Sequence, residues 1–276
     1  MVGQFGYVAP QVHGTIQSAD ATLYYESAGS GHPVLFIHAG VTDSRMWNAQ
    51  FKEVEGFRLI RFDMRGYGRS KLGSQPFSHR DDTLALLDHL DVEKACLVGC
   101  SIGASTALQI AAAAPDRVAG MVLVGADAPA FDSGIDYESP EWPEALRAFE
   151  SGDLRRVAEL EAEMWLAGCE RSASQLDPDV VELFIEMDLV ALENESTREA
   201  LDATQPLEDL PDLTVPVLVV AGEHDIPQLH VAAAHLAERL SDRKPVVMSD
   251  TAHLPPMDRP DVFTQALLDF LDTLSS

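Results

Sequence analysis

Short apolar runs alternate with helical patterns along most of the chain. Residues 12–17 and 22–26 alternate between apolar and polar side chains, which predicts an antiparallel hairpin at the start of the fold. Buried strands are predicted at 34–37 and 58–63, and mostly apolar runs of the kind found in strands buried on both faces lie at 95–98, 118–124, 215–221 and 245–248. Helical patterns between these runs predict an α/β fold with a mostly parallel, doubly wound sheet.

The alternation with strands stops between residues 131 and 206, where helical periodicity dominates in segments near 144–150, 153–167 and 179–193. We therefore predict a core domain of residues 1–130 and 207–276 and a helical cap insertion at 131–206. Large apolar side chains recur in this insertion at helical spacings, and most of them are expected to seat it on the core: Trp142, Phe149, Met164, Trp165, Phe184 and Met187.

A serine lies at the junction between one predicted strand and the helix that follows it. The sequence Gly99-Cys100-Ser101-Ile102-Gly103 separates the apolar run 95–98 from an alanine-rich helical stretch at 104–114. In a G-x-S-x-G turn of this kind, the hydroxyl is raised clear of the sheet and lies near the positive end of the helix. The strained serine brings its flanking residues close to neighbouring backbone, so glycine is expected on both sides. Ser101 is therefore the candidate nucleophile.

A serine hydroxyl is a weak nucleophile unless a base takes its proton and a third group orients that base. The buried run 215–221 leads into Asp225, and the run 245–248 leads into His253. Open parallel sheets bind ligands beyond the carboxyl ends of their strands. We therefore expect Ser101, Asp225 and His253 to converge at one edge of the sheet.

Further motifs occur in the order known from one superfamily. They are the stretch 35–47 with His38-Ala39-Gly40 at its centre, the stretch 61–70 with Arg65-Gly66-Tyr67-Gly68, and the segments 115–118, 222–225 and 252–256. With the serine turn, this ordered set resembles the α/β-hydrolase superfamily over almost the full length of the chain. One departure occurs at Ala39, because the family usually has glycine directly after this histidine.

The resemblance implies a serine hydrolase with Ser101, Asp225 and His253 as its catalytic triad. His253 would take the proton of Ser101 as the hydroxyl attacks a carbonyl, while Asp225 holds the imidazole tautomer and stabilises the imidazolium. The resulting oxyanion is expected to accept hydrogen bonds from the backbone N–H groups of Ile102 and Gly40. The side chains expected to line the substrate pocket are His38, Met164 and Trp165.

Each catalytic residue has a competitor in the sequence. Cys100 is chemically the better nucleophile, but it is expected to point into the packed interior. Asp127 also ends a predicted strand, and some relatives carry the acid there, whereas the usual order favours Asp225. Other histidines lie on polar stretches and are expected to be solvated, namely His79, His89 and His235, and for His38 a bond to its own loop is the alternative to a place in the pocket.

The acidic composition restricts the classes of partner. The chain has 45 Asp and Glu residues against 19 Lys and Arg residues, a formal net charge of −26. Nucleic acids and anionic membranes bind clustered cations, so neither is an expected partner. The charge is explained either by solubility through a solvated acidic surface or by adaptation to high salt.

A cytoplasmic location is expected from three features. The 3 cysteines are too few for a disulfide framework. The segment 1–11 lacks the basic start and apolar stretch of a signal peptide, and no apolar run is long enough to span a membrane. The sequence contains no metal-binding cluster or cofactor fingerprint, so no cofactor is expected, and it leaves a homo-oligomer open.

These observations predict a hydrolase that cleaves a small-to-medium carboxylic ester or lactone through an acyl-serine. Carbon–carbon bond hydrolases and cofactor-free perhydrolases of the superfamily use the same triad and form the alternative. A non-catalytic ligand-binding protein on the same fold is an alternative of another class. Epoxide hydrolase and haloalkane dehalogenase relatives carry aspartate at the nucleophile position, so Ser101 argues against both.

Overall fold

An eight-stranded sheet forms the centre of the computed structural model, which describes residues 12–241 and 243–274. In spatial order the strands are β1 (Val12–Ser18), β2 (Ala21–Gly29), β4 (Phe57–Phe62), β3 (His32–Ile37), β5 (Ala95–Cys100), β6 (Val118–Val124), β7 (Val217–Gly222) and β8 (Val246–Met248). The β1–β2 and β2–β4 pairs are antiparallel, and the other pairs are parallel. The predicted opening hairpin and the mostly parallel α/β sheet are confirmed.

Two predicted strands begin later than the apolar pattern indicates. The runs 215–221 and 245–248 were expected to be paired throughout, but β7 begins at Val217 and β8 at Val246. In each case a proline precedes the first paired residue, Pro216 and Pro245. Proline has no backbone N–H to donate to the neighbouring strand, so the ladder begins after it.

The helices in the described residues lie between the strands and at the end of the chain. They are α1 (Asn48–Glu53), α2 (His79–His89), α3 (Ile102–Ala113), α4 (Trp142–Ser151), α5 (Leu154–Glu161), α6 (Pro178–Leu201), α7 (Pro227–Leu240), α8 (Pro255–Asp258) and α9 (Pro260–Leu274). Helix α3 follows β5 directly, which makes Ser101 the residue between a strand and a helix.

The sheet is covered on both faces, as its continuously apolar strands require. Along β3, Leu35 and Ile37 belong to one hydrophobic cluster, which also contains side chains of α2, α3 and α7. Val34 and Phe36 alternate with them and belong to the other cluster, which also contains side chains of α5, α6 and α9. This period of two places successive side chains on opposite faces of the sheet.

Helices dominate residues 131–206, as predicted. A π-helical turn at Ala162–Ala167 continues α5, and a 3₁₀ turn follows at Ala173–Gln175. Helix α6 extends to Leu201, well beyond the predicted end at residue 193, although charged side chains interrupt its apolar pattern there. The division of the chain into a core and a cap insertion remains a prediction.

The large apolar side chains of this region do not all seat it on the core. Phe184 and Met187 are fully buried in the cluster shared with the sheet, as expected. Trp142 is 47% exposed, so the expectation that it packs inward is wrong. It lies at the first position of α4, whose buried side chains, Ala145 and Ala148, are on another face of the helix.

No helix within 12–241 and 243–274 is both long and apolar enough to cross a membrane. The expectation that no signal peptide occupies residues 1–11 lies outside the described residues.

Candidate active site

Ser101 occupies the turn that joins β5 to α3. Its backbone has φ 53° and ψ −117°, in the region that side chains other than glycine seldom adopt. Its N–H donates to the carbonyl of Val124 at the end of β6 (2.8 Å), and its own carbonyl accepts from the N–H of Ala104 (2.9 Å). These bonds hold the strained turn in place, and the residue remains partly exposed.

The two glycines of the turn have the steric role that the sequence predicts. A Cβ on Gly99 would lie 2.3 Å from the carbonyl oxygen of Gly103. A Cβ on Gly103 would lie 2.2 Å from the carbonyl oxygen of Ile37 in β3. Both distances are shorter than any real carbon–oxygen contact, so a side chain at either position would displace the turn from the sheet.

Asp225 and His253 are in direct contact. Nδ1 of His253 lies 3.0 Å from Oδ2 and 3.2 Å from Oδ1 of Asp225, and both residues are 4% exposed. An ionised carboxylate can only accept, so Nδ1 carries the proton and Nε2 is the basic nitrogen. The alternative acid, Asp127, is exposed, and its carboxylate accepts from the N–H of Ala128.

Besides Asp225, two neighbours fix the position of the His253 imidazole. A Cβ on Gly125 would lie 2.8 Å from both Cε1 and Nδ1 of the ring, so the ring rests against the end of β6. The Trp165 ring packs on it with centroids 5.1 Å apart, and the Trp165 carbonyl accepts from the His253 N–H (3.1 Å). Because Ser101 bonds to Val124, the residue before Gly125, the serine turn and the imidazole meet at the same end of β6.

Cys100 is turned away from this edge, as expected. It is fully buried, and its thiol donates to the carbonyl of His253 (3.6 Å). Burial raises the pKa of the Cys100 thiol, and the nearby Asp225 carboxylate raises it further, so the thiol stays protonated.

The loop after β3 presents a free backbone donor beside the serine turn. The N–H of Ala39 donates to the sulfur of Met46 (3.3 Å), whereas the N–H of Gly40 has no protein acceptor within the described residues. The N–H of Ile102, at the start of α3, has no such acceptor in this part of the chain either. The position of a Cβ on Gly40 is 3.6 Å from the Ile102 side chain, so these two residues face each other.

Comparison with known proteins agrees with this arrangement. The family described as alpha/beta hydrolase fold matches residues 32–260. The chain belongs to this family. A pimeloyl-[acyl-carrier protein] methyl ester esterase of Pectobacterium atrosepticum is 31% identical over 259 residues, which cover 91% of this chain and 98% of the relative.

Solved structures of similar proteins include two with related descriptions. A thermophilic esterase from Thermogutta terrifontis has a TM-score of 0.74 at 30% identity and covers 97% of this chain and 100% of its own. Est816, described as an N-acyl homoserine lactone degrading enzyme, has a TM-score of 0.72 at 25% identity. The match covers 93% of this chain and 100% of Est816. These similarities support a hydrolase related to esterases and lactonases.

Two of the predicted pocket residues, His38 and Met164, are buried in other contacts and do not pack against His253. His38 is fully buried, with Nδ1 donating to the carbonyl of Ala39 (2.8 Å) and Nε2 accepting from the N–H of Met64 (2.9 Å), so it holds the loop instead of facing substrate. Burial lowers the pKa of His38, which keeps the ring neutral. Met164 is 5% exposed and packs in a cluster with Ala145 and Leu160. Trp165, against His253, is the predicted pocket residue that reaches the site.

The expectation that His79 is solvated is wrong. The ring is 3% exposed and lies between Phe77 and Tyr67, at centroid distances of 5.2 and 6.3 Å. Burial lowers its pKa to about 4. The polar residues that follow it in the sequence concealed its burial, because Tyr67, which also covers it, comes from the preceding motif.

Sequence reasoning also missed two residues next to the site, Tyr67 and Arg198. The Tyr67 hydroxyl lies 3.7 Å from the position of a Cβ on Gly40. The Arg198 guanidinium lies over the Tyr67 ring, 4.2 Å from its centroid. Tyr67 stands in the motif at 61–70 and could have been found there, whereas Arg198 lies in a charged stretch of α6 that has no motif.

Proposed function

We propose that this protein is a serine hydrolase that cleaves a small-to-medium carboxylic ester or lactone through an acyl-serine intermediate. The observation that carries the proposal is the 3.0 Å contact between Nδ1 of His253 and Oδ2 of Asp225. This pair lies at the end of β6, where the N–H of Ser101 also bonds to the carbonyl of Val124. A nucleophile, a base and a group that orients the base are the three parts that this chemistry requires.

In this reaction the Ser101 hydroxyl attacks the ester carbonyl as Nε2 of His253 takes its proton. The carboxylate of Asp225 accepts from Nδ1 and stabilises the imidazolium that forms. The imidazolium then protonates the leaving alcohol, and water, deprotonated by the same nitrogen, releases the acid from Ser101. Each half of the reaction passes through a tetrahedral oxyanion.

The free N–H groups of Gly40 and Ile102 are the proposed donors to this oxyanion. The two residues are neighbours beside the serine turn, and neither N–H is used by another acceptor in the described residues, so both are available when the charge develops. Because Met46 occupies the N–H of Ala39, the donor of the early loop is Gly40, one position after the residue that departs from the family pattern.

The proposed class of substrate is supported by the relatives, which are described as a methyl ester esterase, an esterase and a lactone-degrading enzyme. It is also supported by the ring of Trp165 beside His253, which offers an apolar contact to the leaving group.

A fluorophosphonate probe and a series of p-nitrophenyl esters of graded chain length test the proposal. We expect the wild-type protein to be labelled and to hydrolyse the shorter esters, and Ser101→Ala to lose labelling and about 10⁴-fold or more of the rate. Ser105→Ala, one turn further along α3, is the matched control and should keep both. A folded wild-type protein without labelling would favour the ligand-binding alternative, and full activity in Ser101→Ala would place the nucleophile elsewhere.

A further inference from the structure

Arg198 differs from the other deeply buried arginines in its lack of a counter-charge. Arg61 (7% exposed) pairs with Glu26 at 2.6 Å, and Arg65 (1% exposed) pairs with Asp82 at 2.7 Å. Arg198 is 8% exposed, yet no carboxylate oxygen of the described residues lies within 4.0 Å of its guanidinium nitrogens. A buried charge is costly unless it is closely paired, and the nearest acids lie beyond ion-pair distance, so the guanidinium remains able to pair with a carboxylate from outside the protein.

The guanidinium of Arg198 is held with part of its donor fork free. Nη1 donates to the carbonyl of Ala191 in the same helix, α6 (2.8 Å). The guanidinium group lies over the ring of Tyr67. Nε and Nη2 donate to no protein acceptor among residues 12–241 and 243–274. Arginine presents its N–H groups in a rigid fork that matches a carboxylate.

Tyr67 connects this fork to the candidate active site. Its hydroxyl, 3.7 Å from the Cβ position of Gly40, has no acceptor in the part of the chain that the structure describes. Burial raises the pKa of Tyr67 to about 12, so the hydroxyl remains a donor at neutral pH. The Tyr67 hydroxyl therefore lies next to the proposed oxyanion donor Gly40, which is itself partly exposed, and Arg198 lies over the Tyr67 ring.

The proposed reaction determines which part of the substrate would meet these donors. The leaving alcohol must lie next to His253, because that imidazole protonates it. Trp165 packs on His253, whereas Tyr67 approaches the loop of Gly40. The acyl chain therefore extends from the carbonyl towards Tyr67 and Arg198.

We propose that Tyr67 and Arg198 form an acyl-side subsite for a carboxylate, so that the preferred substrates are half-esters of dicarboxylic acids or lactones that carry a carboxylate. This inference rests on the proposed ester hydrolysis. The substrate carboxylate would accept two hydrogen bonds from the free edge of the Arg198 fork and a third from the Tyr67 hydroxyl.

Neighbouring acids do not occupy this subsite. Glu161, Asp188 and Glu195 are close enough for the charge of Arg198 to affect them, but all lie farther than 4 Å from its nitrogens. Burial raises the pKa of Glu161 to about 7, and burial with the nearby Glu161 carboxylate raises the pKa of Asp188, which reduces the negative charge that faces an entering carboxylate. His79 stays neutral at pH 7, so charge recognition depends on Arg198.

The test compares kcat/KM for monomethyl and dimethyl esters of the C4 to C8 dicarboxylic acids, which differ in one negative charge. We expect wild-type protein to prefer the monomethyl ester at one or more chain lengths. Arg198→Gln should lower kcat/KM for that ester by about 10–100-fold, the usual effect of losing a charged hydrogen bond, and change the dimethyl ester little. Tyr67→Phe should act in the same direction and more weakly, and Arg198→Lys should recover part of the preference.

Arg155→Gln is the matched control, because Arg155 is an exposed arginine of α5 that pairs with Glu182. It should leave both esters unchanged. Fluorophosphonate labelling of Ser101 in each variant separates loss of this subsite from loss of the catalytic site. The proposal is overturned if wild-type protein prefers the dimethyl ester at every chain length, or if Arg198→Gln lowers both esters equally while labelling persists. If Arg198→Gln does not fold, the wild-type preference and Tyr67→Phe decide.

Discussion

At the scale of single residues, the candidate site depends on backbone conformations and close approaches that most side chains would prevent. Ser101 has a positive φ, and so does Gly125, which lies against the imidazole of His253. For a residue other than glycine, such as Ser101, this conformation costs about 1–3 kcal/mol and persists where surrounding contacts hold it. Here the contacts are backbone hydrogen bonds between β5, β6 and α3, so the geometry of the site is built into the core of the sheet.

Asp225 and Asp127 compete for the role of the acid, and substitution separates them. We expect Asp225→Asn to lower kcat by up to about 10⁴-fold, because an amide stabilises the wrong tautomer of His253 and does not stabilise the imidazolium. Asp127→Asn should leave kcat close to the wild-type value, since this exposed carboxylate contacts only its own loop. Steady-state kinetics on one p-nitrophenyl ester measures both, and a larger loss in Asp127→Asn would assign the acid to the end of β6.

Gly125 is expected to be essential for the position of the imidazole. In Gly125→Ala the new Cβ would overlap the His253 ring, so we expect the ring to move and kcat to fall by about 100-fold, the scale of a 1 Å misplacement. Gly134→Ala is the matched control, because Gly134 also has a positive φ (68°) but no atom within 4 Å of its Cβ position. It should cost about 1 kcal/mol of stability without changing kcat. Equal loss of activity in the two variants would mean that backbone strain, not the ring contact, matters at Gly125.

At the scale of secondary-structure elements, helices α5 and α6 are joined by a carboxyl pair. Glu161 on α5 and Asp188 on α6 are near enough that each affects the pKa of the other. Burial raises the pKa of Glu161 from 4.5 to about 7, and burial with the neighbouring Glu161 charge raises that of Asp188. The contact between these helices is therefore sensitive to pH in the neutral range.

The sign of this dependence follows from proton binding. Between about pH 4.5 and 7 the folded protein holds a proton on Glu161 that the unfolded chain releases, so stability decreases as pH rises through this window. Glu161→Gln removes the titrating group while keeping a hydrogen-bond donor for Asp188. We expect Tm of this variant to exceed that of the wild type by about 2–4 °C at pH 8 and to match it near pH 5. In a domain of this size, that difference in Tm corresponds to ~1 kcal/mol in the free energy of unfolding.

Glu159→Gln is the matched control, because Glu159 lies on the same helix with a side chain 41% exposed and pairs with Arg155 and Arg156. Its Tm should follow that of the wild type at every pH. Melting curves from pH 4.5 to 8.5 for the three proteins test the pair. Parallel curves for the wild type and Glu161→Gln would show that the carboxyl pair does not contribute to pH-dependent stability.

At the scale of the whole molecule, the strand order places residues that are distant in sequence at one edge of the sheet. Strands β5, β6, β7 and β8 are neighbours in parallel, so the turns after them lie side by side. Ser101 follows β5, Gly125 follows β6, Asp225 follows β7 and His253 follows β8. Convergence at the carboxyl edge is a consequence of topology.

The net charge of −26 is the other property of the whole molecule. If the acidic surface serves solubility, Tm should change by only a few degrees between 0.15 M and 2 M NaCl, because charges more than about 8 Å apart are already screened at the lower concentration. Thermal melting across this range tests this expectation. A steep rise of Tm with salt would instead support adaptation to high salt.

Local sequence was sufficient to predict most of the strands and the turns on which the candidate catalytic residues lie. The apolar runs predicted the strands, because a strand buried on both faces must be continuously apolar, and prolines account for the two late starts. The serine turn, Asp225 and His253 could be identified from their places after strands. Gly99 and Gly103 could be assigned a steric role because a strained serine turn admits no larger side chain beside it.

Only the tertiary structure decided what depends on contacts between distant segments. It buried His79 against Tyr67 and placed the sulfur of Met46 on the N–H of Ala39. It also brought Arg198 from the end of α6 over Tyr67 without a carboxylate partner. Sequence patterns report which residues are buried in their own element, whereas burial by another element and the pairing of charges are properties of packing.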